Sequence, residues 1–176
     1  MMRFAMPRML TPEGHYPHAH QRRPARELSV NSYLAVYEAT LSTDGAMSVI
    51  RAIREGVPAS DLNRLAESMG TSKEQLIKTL DLPRATVDRK ARAHQNLSSE
   101  QSERVLGMVR LVGQVQALVE SSGDARGFNA AQWVAQWLEQ PSPALGGQRP
   151  AELMDTVAGQ RIVSDLVARM QSGAYA

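Results

Sequence analysis

Pro143-Ala-Leu-Gly-Gly-Gln-Arg-Pro-Ala-Glu-Leu-Met-Asp-Thr156, running on through Val157 to Gly173-Ala-Tyr-Ala176, closes the chain and decides how the rest is read. Leu145-Gly146-Gly147 supplies the backbone freedom for a turn with positive φ. Pro150 is pre-set for the first position of a short helix through Met154. Asp155 or Thr156 then caps a second helix, on which Ile162, Val163, Leu166 and Met170 recur at three- and four-residue steps. Gly173 is a left-handed stop, leaving Ala174, Tyr175 and Ala176 beyond it. A helix that ends a domain this way leaves Tyr175 and the terminal carboxylate of Ala176 able to meet another molecule; completing the core is the plainer role for the helix itself.

Working outward, the composition bounds the remainder. Hydrophobic residues make up 43% of the 176 and aromatics only 5%, so the core is built from Leu, Val, Ala, Ile and Met, which favours helices over a strand-rich sandwich. The formal charge of +2 does not announce nucleic-acid binding, so any such signal must be local. With no cysteine there is no disulfide frame, thiolate nucleophile or zinc-finger pattern. No apolar run reaches the roughly 18 residues that span a bilayer, and the N-terminus lacks a continuous apolar h-region. A soluble cytoplasmic protein is expected.

Residues 1–28 hold four prolines, three histidines and five arginines against two glutamates, and no helical or strand period survives there. His15, His18 and His20 have no acidic or thiolate partner nearby, so no metal site and no cofactor are expected. From residue 29 the pattern is a run of short helices. Thr71-Ser-Lys-Glu74 has the spacing of a capping box, with Leu76, Ile77 and Leu80 on one face. Asp81-Leu82-Pro83 turns the chain into Arg84–Arg92, a basic helix in which Val87 and Ala91 point to the core. Two short helices about a tight turn, the second basic, have the shape of a helix-turn-helix. Arg84, Thr86, Arg89, Lys90 and Arg92 are the candidate DNA contacts, with Asp88 an acidic residue that repels phosphate unless it accepts from cytosine.

Ser98 to Gln101 caps a helix of about six turns bearing Val105, Leu106, Val109, Val112, Val115, Leu118 and Val119. Core packing and self-association both fit that stripe. Trp133 and Trp137 stand one turn apart on a further helix, a spacing that more often serves packing than binding. No catalytic constellation can be assembled: no histidine sits in a nucleophile pattern, and Leu145-Gly146-Gly147 lacks the lysine and preceding strand of a phosphate loop. An enzyme is not expected.

The ordered series Leu145-Gly146-Gly147, Pro150, Glu152-Leu153, Asp155-Thr156, Gly159, Arg161, Gly173, Tyr175 resembles the toxin-binding domain of the Xre/MbcA/ParS antitoxins, partners of RES-domain toxins. Thr86 and Arg89 likewise resemble the T-x-x-R step of Xre recognition helices. The resemblance implies an all-α protein with four parts: an arm at 1–28, an Xre-like helix-turn-helix domain at 29–97, a long connecting or dimerisation helix at 98–122, and a toxin-binding domain at 123–176. It also implies that Trp133 and Trp137 pack beneath the closing helix. The function it implies is that of an antitoxin that covers the active site of an NAD-degrading or ADP-ribosylating toxin and represses its own operon at operator DNA, as a homodimer within a larger complex. Leu145, Gly146, Arg149, Arg161, Arg169, Tyr175 and Ala176 are the expected toxin contacts, the arginines because a guanidinium fork holds carboxylates bidentately. A repressor whose C-terminal domain only dimerises is the alternative.

Overall fold

The computed structural model describes residues 30–123 and 126–171; the arm, Tyr175 and Ala176 lie outside them. Eight α-helices and two 3-10 turns make up the described residues, with an isolated bridge between Pro58 and Asn96. The order is α1 (Val30–Ala39), α2 (Thr43–Glu55), α3 (Asp61–Ser68), α4 (Lys73–Thr79), α5 (Arg84–Arg92), α6 (Ser99–Ser122) and α7 (Ala130–Leu138), then the 3-10 turns Pro143–Leu145 and Pro150–Leu153, then α8 (Val157–Gln171). The fold is all-α, as the composition and periodicity indicate. Among the described residues no helix is long and apolar enough to cross a membrane.

Helix ends follow from side-chain caps. Ser98 accepts from Gln101 N while Gln101 reaches back to Ser98 N, the reciprocal box expected at the start of α6. Gly123, at φ 98°, ends that helix in the left-handed region. Thr156, rather than Asp155, caps α8 by accepting from Gly159 N at 3.1 Å. The cap of α4 is Ser72, which accepts from Gln75 N, one residue later than the Thr71-to-Glu74 spacing suggested. Either hydroxyl could start the helix; the chain reversal after Gly70 decides which one aligns. Each such cap is worth about 1 kcal/mol.

α6 is the spine. It buries Val105, Met108, Val109, Leu111, Val112 and Val115, and α1, α2, α7 and α8 all pack on it. Val105, Val109, Val112 and Val115 of its apolar stripe are buried within the chain. α3 contributes Leu62 and Leu65 to the same core, α4 with the turn to α5 contributes Leu76, Leu80 and Val87, and the C-terminal part contributes Val134, Met154, Val163 and Val167. Burial of each Leu or Val side chain contributes about 1.5–3 kcal/mol.

α8 crosses α6 at Gly107, where an added Cβ would overlap the Gln160 amide. Gln160, only 3% exposed, donates from Nε2 to Arg104 O and to Met154 O, each at 3.0 Å. One turn on, Gln114 and Ser164 bond reciprocally, at 3.0 and 2.7 Å. Gln160→Ala is expected to cost about 1–3 kcal/mol in urea unfolding by orphaning Met154 O, and Gly107→Ala about 1–3 kcal/mol by overpacking. The double variant should cost less than the two added together, because truncating Gln160 vacates the space that the new methyl needs; strict additivity would show that the crossing is not as described.

Candidate functional site

The helix-turn-helix is α4, the turn Leu80–Pro83, and α5. Asp81 takes φ 45°, a left-handed value that Asp tolerates better than most residues, and Leu80 and Leu82 on either side are buried. On α5, Val87 is fully buried and Ala91 packs against the core, as their one-turn spacing requires. The opposite side is basic, yet its residues are not equivalent.

Asp88 takes a 2.7 Å hydrogen bond from Lys73 Nζ and lies 3.8 Å from Arg84 Nε, so it clamps α5 to the start of α4 rather than standing unmatched on the reading face. Arg84 also reaches Glu74 at 3.2 Å. Lys90 Nζ donates to Asn96 O at 2.9 Å, which ties α5 to the loop before α6. Arg89 and Arg92 are exposed, with no ion pair among the described residues, and Thr86 sits half-buried in the first turn. The structure thus brings all five candidate DNA contacts onto one helix. It leaves Arg89 and Arg92 extended to solvent while Arg84 and Lys90 hold neighbouring parts of the chain.

In the C-terminal part, the loop at Leu145-Gly146-Gly147 is closed on itself. Ser142 O accepts from Leu145 N and Gly147 N, and Ser142 N donates to Gln148 O at 3.0 Å. Gly146 and Gly147 have φ of 64° and 86°, with open space where a Cβ would stand. Backbone conformation, not crowding, demands glycine at both. Arg149 follows, but its guanidinium is held at home: Nη1 donates to Glu139 at 3.1 Å and Nε to Glu152 at 2.9 Å. Those carboxylates, Glu152 foremost, raise its pKa above the usual arginine value. Gln75 of α4 donates to the same Glu139 at 2.9 Å, so Arg149 belongs to a polar bridge between the helix-turn-helix and the closing segment. A cleft of about 310 Å³ opens beside that bridge.

Arg161 and Ile162 project from α8 beside Asp165 and Arg169, all exposed, with Ile162 at 46%. Gly159 faces inward, where a Cβ would overlap Leu153 O, which explains glycine at that place in the motif. The two tryptophans pack against the core but are only partly buried. They stack face to face at 5.6 Å, half-exposed, while Val134 and Leu138 take the buried side of α7. Trp133, Phe128, Leu118, Val119, Val167 and Met170 line an open apolar groove of about 380 Å³ between α6, α7 and the end of α8. Periodicity marked Leu118, Val119 and Met170 as apolar positions but could not show that the groove lacks a lid among the described residues.

These features define a helix-turn-helix protein with a small helical domain that continues from α6. Residues 48–110 match the antitoxin Xre-like helix-turn-helix domain, and residues 114–173 match the antitoxin Xre/MbcA/ParS C-terminal toxin-binding domain. The chain is 45% identical over 145 residues to a protein of Sphingobium sp. (strain YBL2) named Prs ADP-ribosylating antitoxin, covering 82% of this chain and 88% of that one. It is 21% identical over 121 residues to the antitoxin Xre of Photorhabdus laumondii subsp. laumondii, covering 69% and 76%. To the antitoxin Xre of Yersinia enterocolitica it is 25% identical over 103 residues, covering 58% and 64%. The chain belongs to the Xre/MbcA/ParS family of antitoxins, and is the antitoxin component of a toxin–antitoxin system.

The Lys73 hydrogen bond, ahead of the charges of Lys73, Arg84 and Arg92, holds the Asp88 carboxyl below the ordinary aspartate value despite some opposing desolvation. A lowered carboxylate pKa stabilises the fold above the ordinary carboxylate range, and that contribution disappears as pH falls through the lowered value. A carboxyl-carbon NMR titration should therefore place Asp88 below a free aspartate, and Lys73→Met should move it back up. An unchanged midpoint in that variant would show that Lys73 is not its partner.

Proposed function

We propose that this antitoxin neutralises a RES-domain toxin by laying residues 143–176 over the toxin's substrate entrance, and that it represses its own operon by setting α5 in the major groove of operator DNA. The observation that carries the first half is spatial continuity. The exposed face of α8 and the apolar groove both end at Met170, from which the chain runs on to Tyr175 and Ala176. A C-terminal segment that follows an apolar groove uncovered among the described residues suits a contact in which the groove and Ile162 anchor the partner's rim. Arg161 and Arg169 are the guanidinium groups on that face suited to carboxylates. Leu145 and Gly146, on the closed loop, form the proposed flank of the contact. Arg149 can join it only by leaving Glu139 and Glu152. A stable inhibitory contact should bury at least about 1,200 Å².

The Sphingobium relative is named for Prs ADP-ribosylation, which supports a toxin that transfers ADP-ribose over one that only consumes NAD. For the DNA half, Arg89 and Arg92 are the proposed groove contacts, Thr86 a proposed contact from the first turn, and Arg84 and Lys90 the residues that orient α5. The antitoxin acts as a homodimer in the cytoplasm, where its operator lies.

Removing residues 172–176 should abolish rescue of growth from the co-expressed neighbouring toxin while leaving operator affinity unchanged; loss of operator affinity instead would refute the division of labour. Arg89→Ala should weaken operator binding by about 1–3 kcal/mol at fixed salt, measured by fluorescence anisotropy. An unchanged titration would remove Arg89 from the groove.

A further inference from the structure

α2 is an amphipathic helix of 13 residues, none of which is buried. Its inner row, Ala46, Val49 and Ile53, is half-covered where the helix rests on α6. At about 100° per residue, Thr43, Asp44, Met47, Ile50, Arg51 and Arg54 fall together on roughly a third of the circumference, and all six are exposed. Met47 is 53% exposed and Ile50 38%, with Leu41 at 69% just before the helix. Large apolar side chains gathered on one outward helix face are a common mark of a contact surface. The charges on that face are ordered too. Asp44 stands at one end, Met47 and Ile50 at the centre, and Arg51 and Arg54 toward the other end. Asp44, Arg51 and Arg54 make no ion pair among the described residues.

We propose that this face is where two copies of the chain pair, α2 against α2, antiparallel about a twofold axis. An axis passing between Met47 and Ile50 sets Met47 of each copy against Ile50 of the other. The same operation places each Asp44 beside the other copy's Arg54. Parallel pairing would oppose like charges along the whole face, so the charge order selects the antiparallel arrangement. The chain's own first 28 residues are the other conceivable cover, but they carry five arginines against two glutamates and would meet Arg51 and Arg54 with like charge. The surface deepens the homodimer of the proposed function: a twofold axis at α2 presents two α5 helices to the two halves of a palindromic operator. A contact built on one helix pair is small, so monomer and dimer should exchange over accessible concentrations.

Sedimentation velocity of the full chain, free of toxin and DNA, tests this across a concentration series. The wild-type mass should move from 19.3 kDa toward twice that value. Ile50→Asp should hold the protein monomeric, with a circular-dichroism melt confirming that it folds. Asp44→Arg should raise the dissociation constant by about tenfold or more, and Asp44→Arg combined with Arg54→Asp should return it close to wild type. Because the arginine introduced near the start of α2 persists in the double variant, that recovery cannot come from helix stability. A dimer insensitive to Ile50→Asp, or a charge exchange that restores nothing, overturns the α2 surface while leaving a homodimer standing. A wild-type monomer at every concentration overturns both.

Discussion

The amide of Gln160 lies across α6 at the point where Gly107 has no side chain, and the placement of the C-terminal segment depends on it. Its two N–H groups satisfy Arg104 O on α6 and Met154 O after the second 3-10 turn. A buried amide donating twice fixes α8 both along and around its axis, which apolar contact alone does less sharply. The approach is possible because residue 107 is glycine on α6, and Gly159 allows the matching approach to Leu153 on the other side. Small residues at a helix crossing trade side-chain volume for proximity, and here proximity lets a polar side chain find backbone partners.

Arg104 extends the same junction in the other direction. Its guanidinium donates to Leu80 O and Asp81 O, the turn of the helix-turn-helix, at 3.1 and 2.8 Å, and pairs with Glu100. One residue of α6 therefore touches both functional ends of the molecule: its side chain steadies the turn before α5, and its carbonyl receives Gln160 of α8. The Gln75–Glu139–Arg149 bridge makes a second polar link across the same divide. The two family matches meet inside α6, between residues 110 and 114, so that helix is common property of both. α6 thus runs directly from the matched helix-turn-helix domain into the matched toxin-binding domain.

The charges on α5 show how a basic helix divides its work. Arg84 and Lys90 are tied to Asp88, Glu74 and Asn96 O, contacts that contribute little to stability at the surface but occupy their donors within the chain. Asp88, an acidic residue on an otherwise basic helix, becomes intelligible once Lys73 is seen to pair with it. Positive potential is then concentrated at Arg89 and Arg92, where an exposed guanidinium fork retains its donors.

By itself the sequence determined the helices, their caps within a residue, the helix-turn-helix spacing at 73–92 and the ordered motif after Leu145. Local physics suffices for these: proline and glycine restrict φ, hydroxyls cap, and apolar residues at three- and four-residue steps define a face. Tertiary structure decided who covers each face. The stripe on α6 suits packing or pairing alike; within the chain Val105, Val109, Val112 and Val115 are covered by the helices that rest on it, whereas Leu118 and Val119 line the open groove. Trp133 and Val134 are neighbours of similar polarity, yet one lines an open groove and the other is fully buried. Arg149 and Arg161 look alike in the sequence as candidate contacts, but of the two Arg149 has Glu139 and Glu152 within reach. Periodicity records which side chains share a direction and carries no information on what lies in that direction; that depends on chain crossings such as Gly107 with Gln160, between residues 53 apart in the sequence.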